Sequence, residues 1–204
     1  MTLVESLIEK KWLATPRIIE AFRRIKRKDF MPEEIKALSE IDEAMPIGHG
    51  QTISQPLTVA FMLEQLQPNP GDKILDIGSG SGWTTALLSH IVSQGKQGRV
   101  VAMEIIPELK KFGEKNVSKY GFVKKGVARF ILANGSLGYK EEAPYDKILV
   151  SAAAGKVPKS LKKQLKTKGK MVMPVKNSIL TIIKNSEQEF KETKHEGFTF
   201  VPLV

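Results

Sequence analysis

The stretch Lys73-Ile-Leu-Asp-Ile-Gly-Ser-Gly-Ser-Gly-Trp83 concentrates the residues best suited to holding a ligand. Gly78, Gly80 and Gly82 alternate with serines, and Asp76 stands two positions before the first glycine. Glycine lets a backbone approach a ligand closely. Asp76 can hold a positive or hydroxyl-bearing group. The spacing is G-x-G-x-G, one residue short of the G-x-G-x-x-G of dinucleotide enzymes. That missing residue and the early acid favour S-adenosylmethionine (AdoMet) over NAD. AdoMet has no pyrophosphate to seat on a helix N-terminus; it has an ammonium-carboxylate end and a sulfonium. The same turn would also serve as a purely structural bend in another α/β protein.

Glu104 lies 28 residues beyond Asp76. An acid closing the second strand of such a unit hydrogen-bonds ribose hydroxyls, although an acid just ahead of Pro107 would equally suit a helix start. Pro46-Ile-Gly-His-Gly-Gln-Thr-Ile-Ser-Gln-Pro56 breaks the surrounding periodicity and reads as a loop. Loops of this length are often functional. Ser54 stands just before the next helix, so on residue type alone it is a capping or turn residue. His49, between two glycines, reads as a flexible loop residue rather than a base.

The elements that must position these groups follow from periodicity. Residues 1 to about 38 read as helical, with Thr15-Pro16 as a helix start. Ile18, Ile19, Phe22 and Ile25 recur at helical spacing and should face the core, leaving the basic run Arg23 to Lys28 exposed. Another short helix should start at Met31-Pro32 and run toward Leu38. Further helices are expected over 57–66, 84–92, 108–120 and 158–165. Strands are expected over 73–77, 99–104, 127–132, 145–151, 170–175, 179–184 and 198–203. This alternation predicts an α/β fold with a doubly wound, mostly parallel sheet. The late strands lie too close together for crossover helices, so they should pair antiparallel. Ligands bind at the carboxyl ends of such strands. That edge would gather 76–82, Glu104, Asn134-Gly135 and the 151–155 loop.

Composition sets the outer bounds. A chain of 204 residues suits one domain with its own core. No apolar run approaches the roughly 20 residues of a membrane span. The first eleven residues lack the apolar centre of a signal peptide. The chain contains no cysteine, which removes disulfides and thiolate metal sites and fits a cytoplasmic setting. No metal site is expected. The net charge of +10 raises a nucleic-acid partner. However, the lysines are dispersed and no aromatics interleave them for base stacking. The charge therefore reads as a solvated surface.

Taken together, several stretches resemble the protein-L-isoaspartate O-methyltransferase family. Pro46 to Pro56 is similar to its signature loop, and Asp76-Ile-Gly-Ser-Gly-Ser-Gly82 to its AdoMet loop. Gly138 to Asp146 with Ser151-Ala-Ala-Ala is similar to its central segment, and Phe200-Val-Pro-Leu203 to its C-terminal strand. The resemblance runs from about Trp12 to the last residue, and its signature loop is absent from general AdoMet methyltransferases. It implies a Rossmann-like methyltransferase core at 57–204, the signature active-site loop at 46–56 and an N-terminal helical extension at 1–45. It also implies a repair reaction: methyl transfer to the α-carboxylate of L-isoaspartyl residues in damaged proteins and peptides, which restarts succinimide formation and returns part of the material to normal aspartate. By the same resemblance Ser54 is the active-site serine. Gln51, Thr52 and Ile53 lie near the cofactor together with Asp76, Gly78, Ser79 and Gly80. Glu104 takes the ribose, and Asn134 and Gly135 lie by the adenine. Ala152, Ala153 and Val201 border the isoaspartyl peptide. The expected cofactor is AdoMet, the partners are isoaspartyl proteins and peptides rather than nucleic acid or membrane, and the expected state is a monomer.

The chain departs from that pattern in places. Asn134 stands where the family usually has Asp, which keeps an acceptor oxygen but removes its charge. Glu40-Ile-Asp42 lacks a usual tyrosine, Gly155 replaces a proline, and Lys168-Gly-Lys170 and Lys176 alter the late strands. Two alternatives follow: a different AdoMet methyltransferase acting on RNA, suggested by the charge, or a non-catalytic member, suggested by Asn134.

Overall fold

The computed structural model describes residues 1–200 and Leu203. The chain opens with α1 (Leu3–Glu9) and α2 (Pro16–Arg24), followed by two 3-10 turns at Arg27–Phe30 and Glu33–Leu38. A hairpin of β1 (Met45–Gly48) and β2 (Gln51–Ile53) leads into α3 (Pro56–Leu66). Then come β3 (Lys73–Ile77), α4 (Trp83–Val92), β4 (Arg99–Glu104), α5 (Pro107–Ser118) and β5 (Ala128–Leu132). The chain continues through β6 (Tyr145–Val150), α6 (Lys159–Gln164), β7 (Leu165–Val175), β8 (Ser178–Lys184) and β9 (Phe190–Glu196). The main sheet has the order β5-β4-β3-β6-β7-β8-β9. Its members from β5 to β7 are parallel, and β8 and β9 add antiparallel. This is the mixed sheet that the spacing of the late strands requires.

The pleat sorts the strand residues into two cores. Ile74, Val100, Ala102, Leu149 and Val172 face one side, where they pack with residues of α2, α3, α4 and α5. Leu75, Val101, Met103, Ile148, Val150 and Met171 face the other, packed with Leu161 of α6 and with Tyr145. A strand buried on both faces reads as an apolar run, as Val100–Met103 and Ile148–Val150 do. Strand order reverses at β3: β4 and β5 lie to one side, β6 onward to the other. The carboxyl end of β3 is therefore the switch point at which such sheets bind ligands.

The structure corrects three expectations. Most of the expected loop 46–56 is a paired hairpin, with Pro46 opposite Thr52 and Met45 opposite Ile53; only Ser54 and Gln55 connect it to α3, which Pro56 opens. His49 and Gly50 form the hairpin's tip, both at positive φ; the strands are too short for alternation to show in the sequence. Among the described residues the last strand is Phe190–Glu196; residues 198–200 of the expected strand 198–203 are not in a strand, and 201 and 202 lie outside the described residues. Phe190–Glu196 is an exposed edge strand of lysines, glutamates and threonine, so it carries no apolar period, and charge of this kind protects an edge from pairing with other chains. Phe198 instead stacks on Phe61, with ring centroids 5.0 Å apart. Finally, Arg27 is not on an exposed basic face: it is 5% exposed. The turn at Arg27–Phe30 breaks the periodicity of α2 and swings this side chain inward, where backbone carbonyls receive it.

Thr15 does occupy the N-cap position of α2 with Pro16 following, but its side chain makes no cap. Its hydroxyl donates to Glu64 Oε2 at 2.6 Å, tying α2 to α3 instead.

Candidate functional site

The loop after β3 is built by its glycines. Gly78, Gly80 and Gly82 all have positive φ, which side chains rarely adopt. Gly82 is also the tightest: a Cβ there would lie 2.7 Å from the Gly113 carbonyl oxygen of α5. The loop is fastened to the neighbouring strand by N–H donors of Gly78 and Ser79, both bonding the Met103 carbonyl. From α5, the buried Asn116 side chain donates to the Ser81 carbonyl at 3.1 Å.

Two acids lie under this loop, both buried. Glu104 Oε2 accepts from the Gly80 N–H at 2.8 Å, and its Oε1 accepts from Ile105 and Ile106 N–H. Asp76 Oδ2 accepts from the Thr85 hydroxyl at 2.6 Å and from Thr84 at 3.1 Å, while Oδ1 is buried without a partner. Burial pushes the Asp76 carboxyl up to about 6 against the pull of both threonines, and Glu104 adds to the rise. The two acids make the floor of the loop a place where a cation is favoured.

Above this floor lies a cavity at the carboxyl edge of the sheet. Its lining includes Gln51, Thr52, Ile53 and Ser54 from the hairpin and its exit, Gly78, Ser79 and Gly80 from the loop, and Glu104, Gly135 and Ala152. The structure thus brings together ten of the residues singled out from the sequence. Asp76 lies beneath the cavity rather than in its wall. Asn134 is exposed beside it, with Oδ1 accepting from the Ser136 N–H and hydroxyl. Ala153 contributes its carbonyl to Leu203 N–H at 2.8 Å. Val201 lies outside the described residues.

A second, adjoining cavity is lined by Ala44, Gln55, Thr58, Thr199 and Phe200 and shares Thr52, Ser54 and Ser151 with the first. Ser54 therefore stands at the junction. Among the described residues, neither lining contains a histidine, lysine or arginine. The arrangement offers hydroxyls and backbone amides; its one carboxylate among the described residues, Glu104, already has both oxygens engaged by backbone N–H groups.

The cavity fits AdoMet. The glycine cradle gives close backbone approach, and the buried acids suit a cationic ligand. Two polar atoms of the lining residues, Ser79 Oγ and Trp83 Nε1, are buried without a partner in the protein. Sequence reasoning did not find Trp83, Asn116 or Asp42 as parts of this framework. Asp42 Oδ1 accepts from Leu57 N–H at 2.8 Å and so caps the helix behind Ser54. Asp42 and Asn116 act through backbone groups distant in sequence, for which spacing gives no signal.

The family model for protein-L-isoaspartate(D-aspartate) O-methyltransferase matches residues 1–204. The chain belongs to this family. Among its relatives, the protein-L-isoaspartate O-methyltransferase of Methanopyrus kandleri is 40% identical, covering 99% of this chain and 89% of the relative. That of Aeropyrum pernix is 42% identical over 100% of this chain and 78% of its own. A crystal structure from Plasmodium falciparum, named for the same enzyme and solved with S-adenosyl-L-homocysteine, superposes with a TM-score of 0.89 at 24% identity. It covers 99% of this chain and 96% of that one, and establishes the shared fold.

Proposed function

We propose that the protein methylates the α-carboxylate of L-isoaspartyl residues in damaged proteins and peptides, with AdoMet as methyl donor. The observation that carries the reading is the position of Ser54 at the junction of the two cavities, on a hairpin that abuts the glycine loop. AdoMet supplies an electrophilic methyl group when bound. Gly78, Ser79, Gly80 and Glu104 would hold it, with Gln51 to Ile53 closing over it and Gly135 beside Asn134 on the adenine side. A carboxylate is already ionised at neutral pH, so its oxygen needs no base. This accords with a lining of hydroxyls. Ser54 then holds the carboxylate by a hydrogen bond, in line for transfer and stripped of water. Alignment of this kind supplies several kcal/mol, up to roughly 7–11 in the best cases. Ala152, Ala153 and the segment containing Val201 would border the peptide through backbone contacts, which read many sequence contexts alike.

The same reading makes the chain one catalytic domain, active as a monomer in the cytoplasm, with no nucleic-acid or membrane partner. The single-domain reading is supported by the continuous main sheet, and the reading of the charge by the dispersal of the lysines.

Ser54→Ala tests the assignment. A hydrogen bond to a charged group contributes about 1.5–3 kcal/mol, so kcat/KM for an isoaspartyl peptide should fall about 10–100-fold. Binding of AdoMet, measured by calorimetry, should change little. Unchanged turnover would remove Ser54 from the reaction.

A further inference from the structure

Arg27 is a buried cation that the reaction above does not use. Its Nη1 donates to the carbonyls of Ser39 at 3.3 Å and Ile41 at 2.9 Å. Its Nη2 donates to the carbonyls of Glu43 at 2.6 Å and Ser54 at 3.3 Å. The guanidinium carbon lies 5.6 Å from the centre of the Trp83 ring. Among the described residues it makes no salt bridge; Asp42 and Glu40 act on it only at longer range.

A buried charge without a partner carboxylate is costly, and an apolar side chain of similar volume would often be the more stable choice. Burial does lower Arg27, to about 10, but this leaves it charged at neutral pH. The benefit is geometric. The planar fork reaches two chain segments at once, which a lysine ammonium cannot do in the same fixed directions. One segment is 39–43, which carries Asp42, the cap for Leu57 N–H. The other ends at Ser54. The Gln55 side chain closes the frame by donating to the Asp42 carbonyl at 3.0 Å. Trp83, under the guanidinium, lines the first cavity. Arg27 thus stands behind the wall where the two cavities meet.

We propose that Arg27 is a positioning residue that fixes the backbone at Ser54, and with it the Ser54 hydroxyl, at the junction of the two cavities. The inference rests on the reading of Ser54 as the residue that meets the substrate carboxylate. None of the bonds that hold the glycine loop (those accepted by Met103 and Glu104 and that donated by Asn116) involves Arg27, whose contacts with the first cavity's lining are the Ser54 carbonyl and the Trp83 ring. Loosening the clamp should therefore damage peptide handling far more than cofactor binding.

The test compares Arg27→Lys and Arg27→Met with the parent, alone and combined with Ser54→Ala. The readouts are the melting temperature, the Kd for S-adenosyl-L-homocysteine, and kcat and KM for an isoaspartyl peptide, all well below the lowest melting temperature. The expected result for Arg27→Met is a peptide kcat/KM lowered at least tenfold and a cofactor Kd within threefold of the parent. Arg27→Lys should fall between the two. In the Ser54→Ala background the Arg27 effect should shrink to less than threefold, because the two act through one group. Should Arg27→Met fail to fold, Arg27→Lys keeps the charge and stem and carries the comparison. Should both fail, Asp42→Asn, which weakens the cap behind Ser54, is read in the same way. A lowered melting temperature with parental kinetics would overturn the proposal, as would equal losses in cofactor and peptide binding or an undiminished effect in the Ser54→Ala background. Failure of the underlying reading shows separately, as Ser54→Ala alone keeping full activity.

Discussion

Asp76 and Glu104 are two carboxylates under one loop with different partners. Glu104 accepts backbone N–H groups at both oxygens, including Gly80 in the loop itself. Asp76 accepts hydroxyls at one oxygen and nothing at the other. Its folded pKa of about 6 lies above the ordinary 3.8, so between those values the native state binds more protons than the unfolded chain. Ionisation of Asp76 therefore lowers stability as pH rises through that window, and the full cost is present above it. Asp76→Asn removes the titration while keeping acceptor and donor sites. Its stability relative to the parent, measured by chemical denaturation, should improve by up to about 3 kcal/mol between pH 4 and pH 7, at about 1.4 kcal/mol per unit. A difference that stays flat with pH would contradict this picture of the carboxyl. The sequence identifies Asp76 as an acid beside a glycine turn, since type and spacing suffice for that. It cannot show that Thr84 and Thr85 take up its hydrogen bonds, because that depends on the angle at which α4 leaves the loop.

At the scale of elements, the loop works because β3, α4 and α5 converge on it. Gly82 illustrates the constraint: its φ is +85°, and a Cβ would meet the Gly113 carbonyl oxygen at 2.7 Å and Val117 Cγ2 at 2.9 Å. Gly82→Ala combines a left-handed conformation with a backbone overlap and should destabilise the protein by about 2–4 kcal/mol. Denaturant unfolding would show this as a lowered midpoint with little change of slope. A loss under about 0.5 kcal/mol, the range of ordinary surface substitutions, would mean that the loop and α5 do not pack as described. Strands buried on both faces, such as β4 and β6, are legible as apolar runs. The hairpin at Met45–Ile53 is not, since its strands are three and four residues long. Nor is β9, whose side chains are mostly exposed and charged. Residues 198–200 mislead for the opposite reason: their apolar residues suggest a strand start, but Phe198 packs onto α3 through Phe61 instead.

At the scale of the molecule, the net charge of +10 is spread rather than focused. Several lysines are already paired: Lys162 with Glu192, Lys166 with Asp146, and Lys110 with Glu114. Neither cavity at the sheet edge is lined by a basic side chain among the described residues. Among those residues the one charged side chain in the two linings is Glu104, whose oxygens accept backbone N–H groups, so the site presents mainly hydroxyls and backbone amides to an acceptor. What distinguishes an isoaspartyl from an aspartyl residue is the location of its free carboxylate: the main-chain α-carboxylate in one, the side chain in the other. A site that fixes Ser54 against a peptide-bordering wall should tell them apart. The most direct measurement is transfer of labelled methyl from AdoMet to a short isoaspartyl peptide, with the aspartyl peptide of the same sequence as control. The expected result is labelling of the isoaspartyl peptide alone, released by mild base as a methyl ester should be. Equal labelling of both peptides, or AdoMet binding with no transfer to either, would contradict the proposed reaction.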